Sequence, residues 1–421
     1  MTVGTASARE TLRLYKRHLS RGRARLAEMT GAVMEVSSSG ALVCDESGGT
    51  YLDCGGYGVF LLGHRHPDVT AAVVDQINRH PMSTKLLLEP TAARAAHALA
   101  EVAPAGLTRV HFVNSGAEAT ETAIKLARAQ GITNLVSAKG GYHGKTMGAL
   151  SLTANEVYQQ PFRPLLPSVH HVPFGDAAAL GDVLADGRDY CVVVEPVQGE
   201  GGVVVPPCGY LGEVARLCRQ HNAMFVLDEI QTGLGRLGSW WGADREAVTP
   251  DIMLVGKNLS GGVVPVAAIV ATEAAYKPFD RDPFLHSSTF AASPVAMAAA
   301  AAAVKAIGEH DLVAAAAHLG AQLIDGLSEI MTTTCPHLVT EIRGVGLLIG
   351  IEMRHEQLAG DLVLELLDRH VLVNHSLNAH TVVRLTPPAI MTSLQICWLL
   401  EAFADAAKAL AMRYPDLSRS A

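Results

Sequence analysis

Met224-Phe-Val-Leu-Asp228-Glu-Ile230-Gln231-Thr-Gly233 and Pro250-Asp-Ile252-Met-Leu-Val255-Gly-Lys257-Asn-Leu-Ser-Gly-Gly262, joined by a glycine-rich turn carrying Arg236, are the stretches that decide the fold. Each holds a short apolar run, Met224 to Leu227 and Ile252 to Val255, that is bounded by polar residues or glycine and does not alternate. That is the pattern of parallel strands buried on both faces. Asp228 closes the first run and Lys257 follows the second. Both side chains are therefore expected at the carboxyl edge of one sheet, where open α/β folds bind ligands.

Taken singly, each residue has a plain reading: an Asp at a strand end caps a turn or helix, and a Lys before a glycine loop is a solvated charge. Taken together they suit pyridoxal phosphate, which needs a lysine amine to condense with its aldehyde and an acid to keep its ring nitrogen protonated. A rival is visible in Gly233, Gly235 and Gly238, which match the dinucleotide pattern G-x-G-x-x-G. Those glycines come several residues after the strand, no clear helix opens on them, and the acid required about 20 residues later would be Asp251, directly after Pro250.

Moving outward, strands at Val110 to Val113, Leu135 to Ser137, Cys191 to Glu195 and Ala267 to Ala271 alternate with helical stretches, which predicts a mostly parallel sheet with helices on both faces. We read residues 55–303 as a large domain and 304–421 as a smaller α/β lobe. Residues 1–54, a basic amphipathic surface helix and a meander punctuated by Ser37-Ser-Ser-Gly40 and Glu46-Ser-Gly-Gly49, are expected to pack with that lobe, since a small sheet alone is marginal. His66-Pro67 opens a helix with Val69, Ala72, Val73 and Ile77 on its apolar positions. His64 and His66 lack a carboxylate or cysteine at ligand spacing, so they read as structural and no metal is expected.

The composition of the 421 residues, 49% apolar and 18% charged, is that of an ordinary globular protein. A net charge of -8 without a basic block argues against nucleic acid. Seven cysteines without a C-x-x-C pair favour reduced thiols in a cytoplasm. The Ala-rich run from Val295 to Ala303 is too short for a membrane span and is read as a buried helix.

Three further stretches carry chemistry. Asn114-Ser115-Gly116-Ala117-Glu118 follows a strand and opens a helix with capping-box spacing, so its free N–H groups and dipole form a phosphate cradle, though a plain capped helix reads the same way. Gly140-Gly-Tyr142-His143-Gly-Lys145-Thr offers one aromatic ring to stack on a flat cofactor opposite Ile230, and a core tyrosine is the competing reading. Glu195-Pro-Val-Gln-Gly-Glu200-Gly-Gly places two carboxylates at a strand end, as surface charges or, for Glu200, as partner of an arginine.

These stretches, with Ser288-Thr289-Phe290 and Arg384-Leu-Thr-Pro-Pro388, resemble in order the class III aminotransferases of the fold type I pyridoxal phosphate enzymes, and the likeness runs from Gly40 to the last helix. The resemblance implies the following roles. Lys257 is the cofactor-bearing lysine, Asp228 the partner of the ring nitrogen, and Gln231 a donor to the ring oxygen. Tyr142 and Ile230 cover the ring faces, Ser115, Gly116 and Ala117 hold the phosphate, and His143 and Glu195 belong to the cofactor site. Thr289 reaches a phosphate across the interface of an obligate homodimer. Glu200 and Arg384 form a switch that admits either an amine or the carboxylate of a keto acid, while Tyr57 and Lys145 contact substrate.

Two departures stand out: Ala291-Ala292-Ser293 where the family shows Gly-Gly-Asn, and Lys145 where ornithine-type members place an arginine. Pro161 to Pro167, His171 to Gly175, Pro283 to His286 and Val371 to Asn378 look most like the putrescine aminotransferases. The expected reaction moves a terminal amino group to a keto acid such as 2-oxoglutarate or pyruvate, or aminates an aldehyde in a biosynthetic pathway. An ornithine or acetylornithine aminotransferase, an aminomutase or a racemase on the same fold are the alternatives, with a dinucleotide oxidoreductase or an inactive dimeric scaffold further off.

Overall fold

Seven strands build the central sheet: β1 (Arg109–Val113), β2 (Asn134–Ala138), β3 (Val169–Val172), β4 (Tyr190–Val194), β5 (Met224–Asp228), β6 (Ile252–Val255) and β7 (Ala267–Ala271). They are seen in a computed structural model that describes residues 7–415. Their order in space is β1-β7-β6-β5-β4-β2-β3. Pairs from β3 through β6 are parallel, whereas β7 runs antiparallel to both β6 and β1. The sheet is thus mostly parallel, with one reversed strand. The reason lies in the loop, since the connection 256–266 is shorter than the dozen or so residues a parallel crossover needs.

The run of apolar residues along each central strand divides between two cores. In β4 the side chains of Tyr190, Val192 and Val194 enter one core, and those of Cys191 and Val193 enter the other. β5 splits in the same way, with Phe225 and Leu227 against Met224 and Val226. Helices Tyr210–Gln220 and Pro294–Glu309 supply the first core with Leu211, Val214, Met297, Ala300 and Val304, and helix Gly116–Ala129 supplies the second with Ala119, Ala123, Ile124 and Ala127. Each fully buried Val, Leu or Ile contributes about 1.5–3 kcal/mol. That two-sided burial fixes the strand ends, and hence Asp228 and Lys257.

Strands Val339–Val345, Leu348–Met353, Asn374–Ser376 and Ala379–Leu385 form an antiparallel sheet of the C-terminal part, accompanied by helices Leu312–Thr334, Glu356–Asp368 and Ser393–Arg413. The N-terminal meander, Glu35–Ser39, Leu42–Asp45 and Thr50–Asp53, is extended by Val371–Leu372, which pairs in parallel with Leu52 and Asp53. In the helix Pro67–Arg79, Val69 and Val73 are buried as expected, but Ile77 is exposed and Gln76 takes the inner position. Gln76 is held there by a hydrogen bond from its Nε2 to the carbonyl of His80 at 2.7 Å, which ends the helix. No helix among the described residues is long and apolar enough to cross a membrane.

Candidate active site

Asp228 ends β5 and is buried, with Oδ1 accepting from Ile230 N at 3.1 Å and Oδ2 contacting His143 Nδ1 at 2.7 Å. The Gly140–Gly144 loop brings His143 there, fixed by a hydrogen bond from Thr120 Oγ1 to its carbonyl (2.8 Å) and by its N–H donating to Thr153 Oγ1 (2.9 Å). Burial opposes charge on this imidazole, yet the bond to Asp228 and the charges of Asp228 and Glu195 outweigh it and raise its pKa above the ordinary value. Glu195, just past β4, accepts from Tyr142 N at 3.2 Å, and burial pushes its carboxyl well up despite the opposing charges of His143 and Lys257.

Lys257 stands two residues beyond β6, on backbone with a φ of 42° that starts the turn Lys257–Ser260. Its Nζ donates to Gln231 Oε1 at 3.3 Å. Burial among these groups lowers its pKa below the usual lysine value. Arg384 adds to that effect, and Glu200, Asp228 and Glu195 oppose it. The fold thus gathers residues from β4, β5, β6 and the C-terminal sheet around one amine. Asp228 and Lys257 are near enough for the charge of one to act on the other.

Arg384 and Glu200 are both buried, and Nη1 approaches Oε1 to 2.5 Å. No guanidinium N–H is aimed at an acceptor, however, so charge and not aligned hydrogen bonding holds the pair. Glu200 is oriented instead by Leu377 N, which donates to Oε2 at 2.9 Å. Ser115 caps the helix Gly116–Ala129 by accepting from Glu118 N, and Gly116 lies against Ile230, where a Cβ would come within 2.8 Å of Cδ1. Ala117 follows in the same first turn.

Two residues assigned to substrate lie at the margin. Tyr57 is exposed, with φ 51° between Gly56 and Gly58, while the α-carbon side of Gly58 faces Gln231 and Lys257. Lys145 is exposed, with its ammonium 3.9 Å from the centre of the Tyr158 ring and 5.9 Å from that of Tyr142. Thr289 is also exposed, next to Ser288, whose hydroxyl accepts from Asn114 Nδ2 at 3.1 Å.

Sequence reasoning gave no role to Tyr158, Asn378 or Arg236. Tyr158 donates to Leu377 O (3.0 Å), and its hydroxyl pKa is raised by burial and by the charge of Glu200. Asn378 ties the C-terminal sheet to the Gly140 carbonyl at 3.0 Å. Arg236 is fully buried and donates to the carbonyls of Leu347, Pro387 and Gly58, three separate parts of the chain. Burial, with the like charge of Arg384, lowers its pKa to about 9. Its place in a glycine-rich turn disguised it.

The dinucleotide pattern is accounted for otherwise. Gly233 packs under the Trp241 ring, Gly238 packs against Ala317, and Asp251 accepts from Phe225 N at 2.8 Å as a strand brace. The view that His64 and His66 lack carboxylate partners also needs correction. His64 Nε2 lies 2.8 Å from Asp53, eleven residues away in sequence, and His66 faces Asp68. Fixed motif spacing misses the His64–Asp53 contact because folding creates it, whereas Asp68 stands only two residues after His66 and was within reach of a reading of the chain.

Residues 26–407 match the family described as aminotransferase class-III. The chain belongs to the class III aminotransferases. It is 41% identical over 396 residues to a putrescine aminotransferase of Pectobacterium atrosepticum, covering 92% of this chain and 84% of that protein. Among solved structures it resembles the ornithine aminotransferase of Toxoplasma gondii, described with partial occupancy of PLP at its active site, with a TM-score of 0.90, 30% identity and coverage of 97% and 96%. It also resembles the omega transaminase of Pseudomonas jessenii in complex with PMP, with a TM-score of 0.85, 28% identity and coverage of 93% and 96%. The aminotransferase is therefore an enzyme of the fold type I class whose cofactor is pyridoxal phosphate.

The residues present fit that cofactor. Gln231 Nε2 and His143 Nε2 are buried without hydrogen-bond partners, so the cleft carries polar groups that its own chain leaves unsatisfied. The first turn at Gly116 adds free N–H donors suited to a phosphate.

Proposed function

We propose that this aminotransferase takes the terminal amino group of a diamine or ω-amino compound and delivers it to a keto acid such as 2-oxoglutarate or pyruvate. The observation that carries this reading is the buried Glu200–Arg384 pair beside Lys257. A guanidinium whose N–H groups have no aligned acceptors is ready for a carboxylate, and Glu200 neutralises it when an uncharged portion of an amine occupies the cleft. The relative named as a putrescine aminotransferase supports the donor class.

When bound, pyridoxal phosphate supplies an aldehyde for the amine and an electron-accepting ring. Lys257 holds the cofactor and, when freed, moves a proton at Nζ. Its lowered pKa favours the neutral amine that this task needs. Asp228 sits to hold a proton at the ring nitrogen, and His143 Nδ1 keeps that carboxylate in place at Oδ2. Ser115, Gly116 and Ala117 would hold the phosphate, Gln231 would donate to the ring oxygen, and Ile230 and Tyr142 would cover the ring, while Glu195 anchors the loop by accepting from Tyr142 N. Arg384 orients the keto acid, with Tyr57 and Lys145 at the entrance.

One observation favours a second reading. The exposed Lys145 ammonium stands over the Tyr158 ring, where a cation also suits an amino acid donor of the ornithine type. Its seat over Tyr158 favours the diamine reading, because the charge already has a partner. A donor screen decides. With diamines, ω-amino acids and ornithine tested against both keto acids, diamine turnover exceeding that of ornithine is expected, and the reverse order refutes the diamine assignment. Lys257→Ala should lose the yellow colour of the lysine-bound cofactor together with turnover, and retained turnover would refute the lysine assignment.

The working unit is a homodimer in which Thr289 reaches the partner's phosphate. Its setting is the cytoplasm, in keeping with seven cysteines that are all free thiols.

A further inference from the structure

Helix Pro67–Arg79 begins beside the end of helix Pro294–Glu309, and three potential metal ligands meet there: His66, Asp68 and His310. His66 precedes the first helix without capping it through its side chain, and His310 is the residue that closes the second. Asp68 Oδ2 lies 3.3 Å from His310 Nε2 and 4.0 Å from His66 Nδ1. One ligand atom from each of the three residues falls within 4.8 Å of the others.

His66 supplies the independent observation. The residue is 9% exposed, and its Nδ1, which faces Asp68, is buried without any hydrogen-bond partner. A buried imidazole nitrogen left unsatisfied is costly unless something occupies the space in front of it. Asp68 and His310 are exposed and free to adjust, so the arrangement is one fixed ligand and two movable ones.

We propose that His66, Asp68 and His310 form a binding site for a divalent transition-metal ion of the zinc class, joining the two helices. Two imidazoles and one carboxylate are ligands that zinc accepts, with a fourth position left to water. Neighbouring ligand atoms around a tetrahedral zinc sit about 3.3 Å apart. The Asp68–His310 separation already matches that distance, and the other contacts close by rotation of exposed side chains. The ion joins the start of one helix to the end of the other, so binding stabilises the folded enzyme by mass action.

Zinc titration of the holoenzyme at neutral pH, followed by calorimetry and by thermal unfolding, tests the site. The wild-type enzyme is expected to take up one zinc per chain and to unfold at a higher temperature with it. His310→Asn and Asp68→Asn, both at exposed positions, are expected to bind at least tenfold more weakly and to lose the thermal shift while retaining transaminase activity and the circular dichroism of the wild type. Absence of saturable uptake by the wild type, or equal uptake by the variants, overturns the proposal; the latter result places the metal on other ligands such as the exposed Cys208 or Cys397.

Discussion

Glu229, next to Asp228, shows what a buried carboxyl does when it has no cation. It accepts from Ala243 N at 2.8 Å and from Thr232 Oγ1, and burial raises its pKa to about 7 against these bonds. In the unfolded chain it loses its proton near 4.5, in the folded chain near 7. Between those values the folded state holds the extra proton, so stability falls as pH rises. The contribution is complete below the lower value and gone above the higher one, a loss of up to about 3 kcal/mol. Glu195 adds a loss of the same sign. Glu229→Gln is therefore expected to shrink, without abolishing, the fall in urea midpoint between pH 5 and 8 (about the span set by these groups). An unchanged fall would show that Glu229 ionises outside that window. Asp228 and Lys257 were legible in the sequence because a strand end marks where a side chain emerges. The His143–Asp228 contact was not, because its partners are 85 positions apart and no local pattern relates them. Tyr158 was hidden for the same reason, as it acquires its neighbours only when the C-terminal sheet folds over it.

At the scale of elements, the turn that opens helix Gly116–Ala129 does two tasks, capping the helix and leaving room for Ile230. A Cβ on Gly116 would sit 2.8 Å from Ile230 Cδ1 and 3.1 Å from Cγ2, and Ile230 is also confined by Gly256, where a Cβ would be 3.2 Å away. A β-branched side chain has few other rotamers to retreat into. Gly116→Ala is therefore expected to weaken pyridoxal phosphate binding at least tenfold in reconstitution of the apoenzyme, with the helix itself unharmed because Ala is the better helix former. Ser115→Ala gives the contrasting result, a helix cost of about 1 kcal/mol from the lost cap. Undiminished cofactor affinity in Gly116→Ala would remove Ile230 from the ring slot. Central strands were readable as unbroken apolar runs. β3 was not, because Val169-His-His-Val172 at the sheet edge lacks that run. The reversed direction of β7 follows from loop length, a constraint on connection and not on residue pattern.

At the scale of the molecule, a single chain leaves too much apolar surface in water. Leu86, Leu87 and Leu88 are 90%, 79% and 102% exposed, and Phe284 and Phe290 are also exposed. Lys85 Nζ donates to Ser288 O at 2.6 Å, which draws the two segments together into one region. The helix Ala8–His18 buries none of its residues. Soluble proteins rarely show a contiguous patch of this kind unless something covers it, and in the homodimer proposed above a second copy would cover it while carrying Thr289 to the neighbouring phosphate site. A double variant, Leu87→Glu with Leu88→Glu, places two charges in that contact. It is expected to sediment as a monomer and to lose at least tenfold in turnover together, since each site would lack its neighbour's loop. Leu394→Glu, at an equally exposed leucine on helix Ser393–Arg413, serves as the control and is expected to change neither mass nor turnover. A fully active monomeric double variant would separate catalysis from assembly, and a double variant that remains dimeric would move the interface away from Leu87 and Leu88.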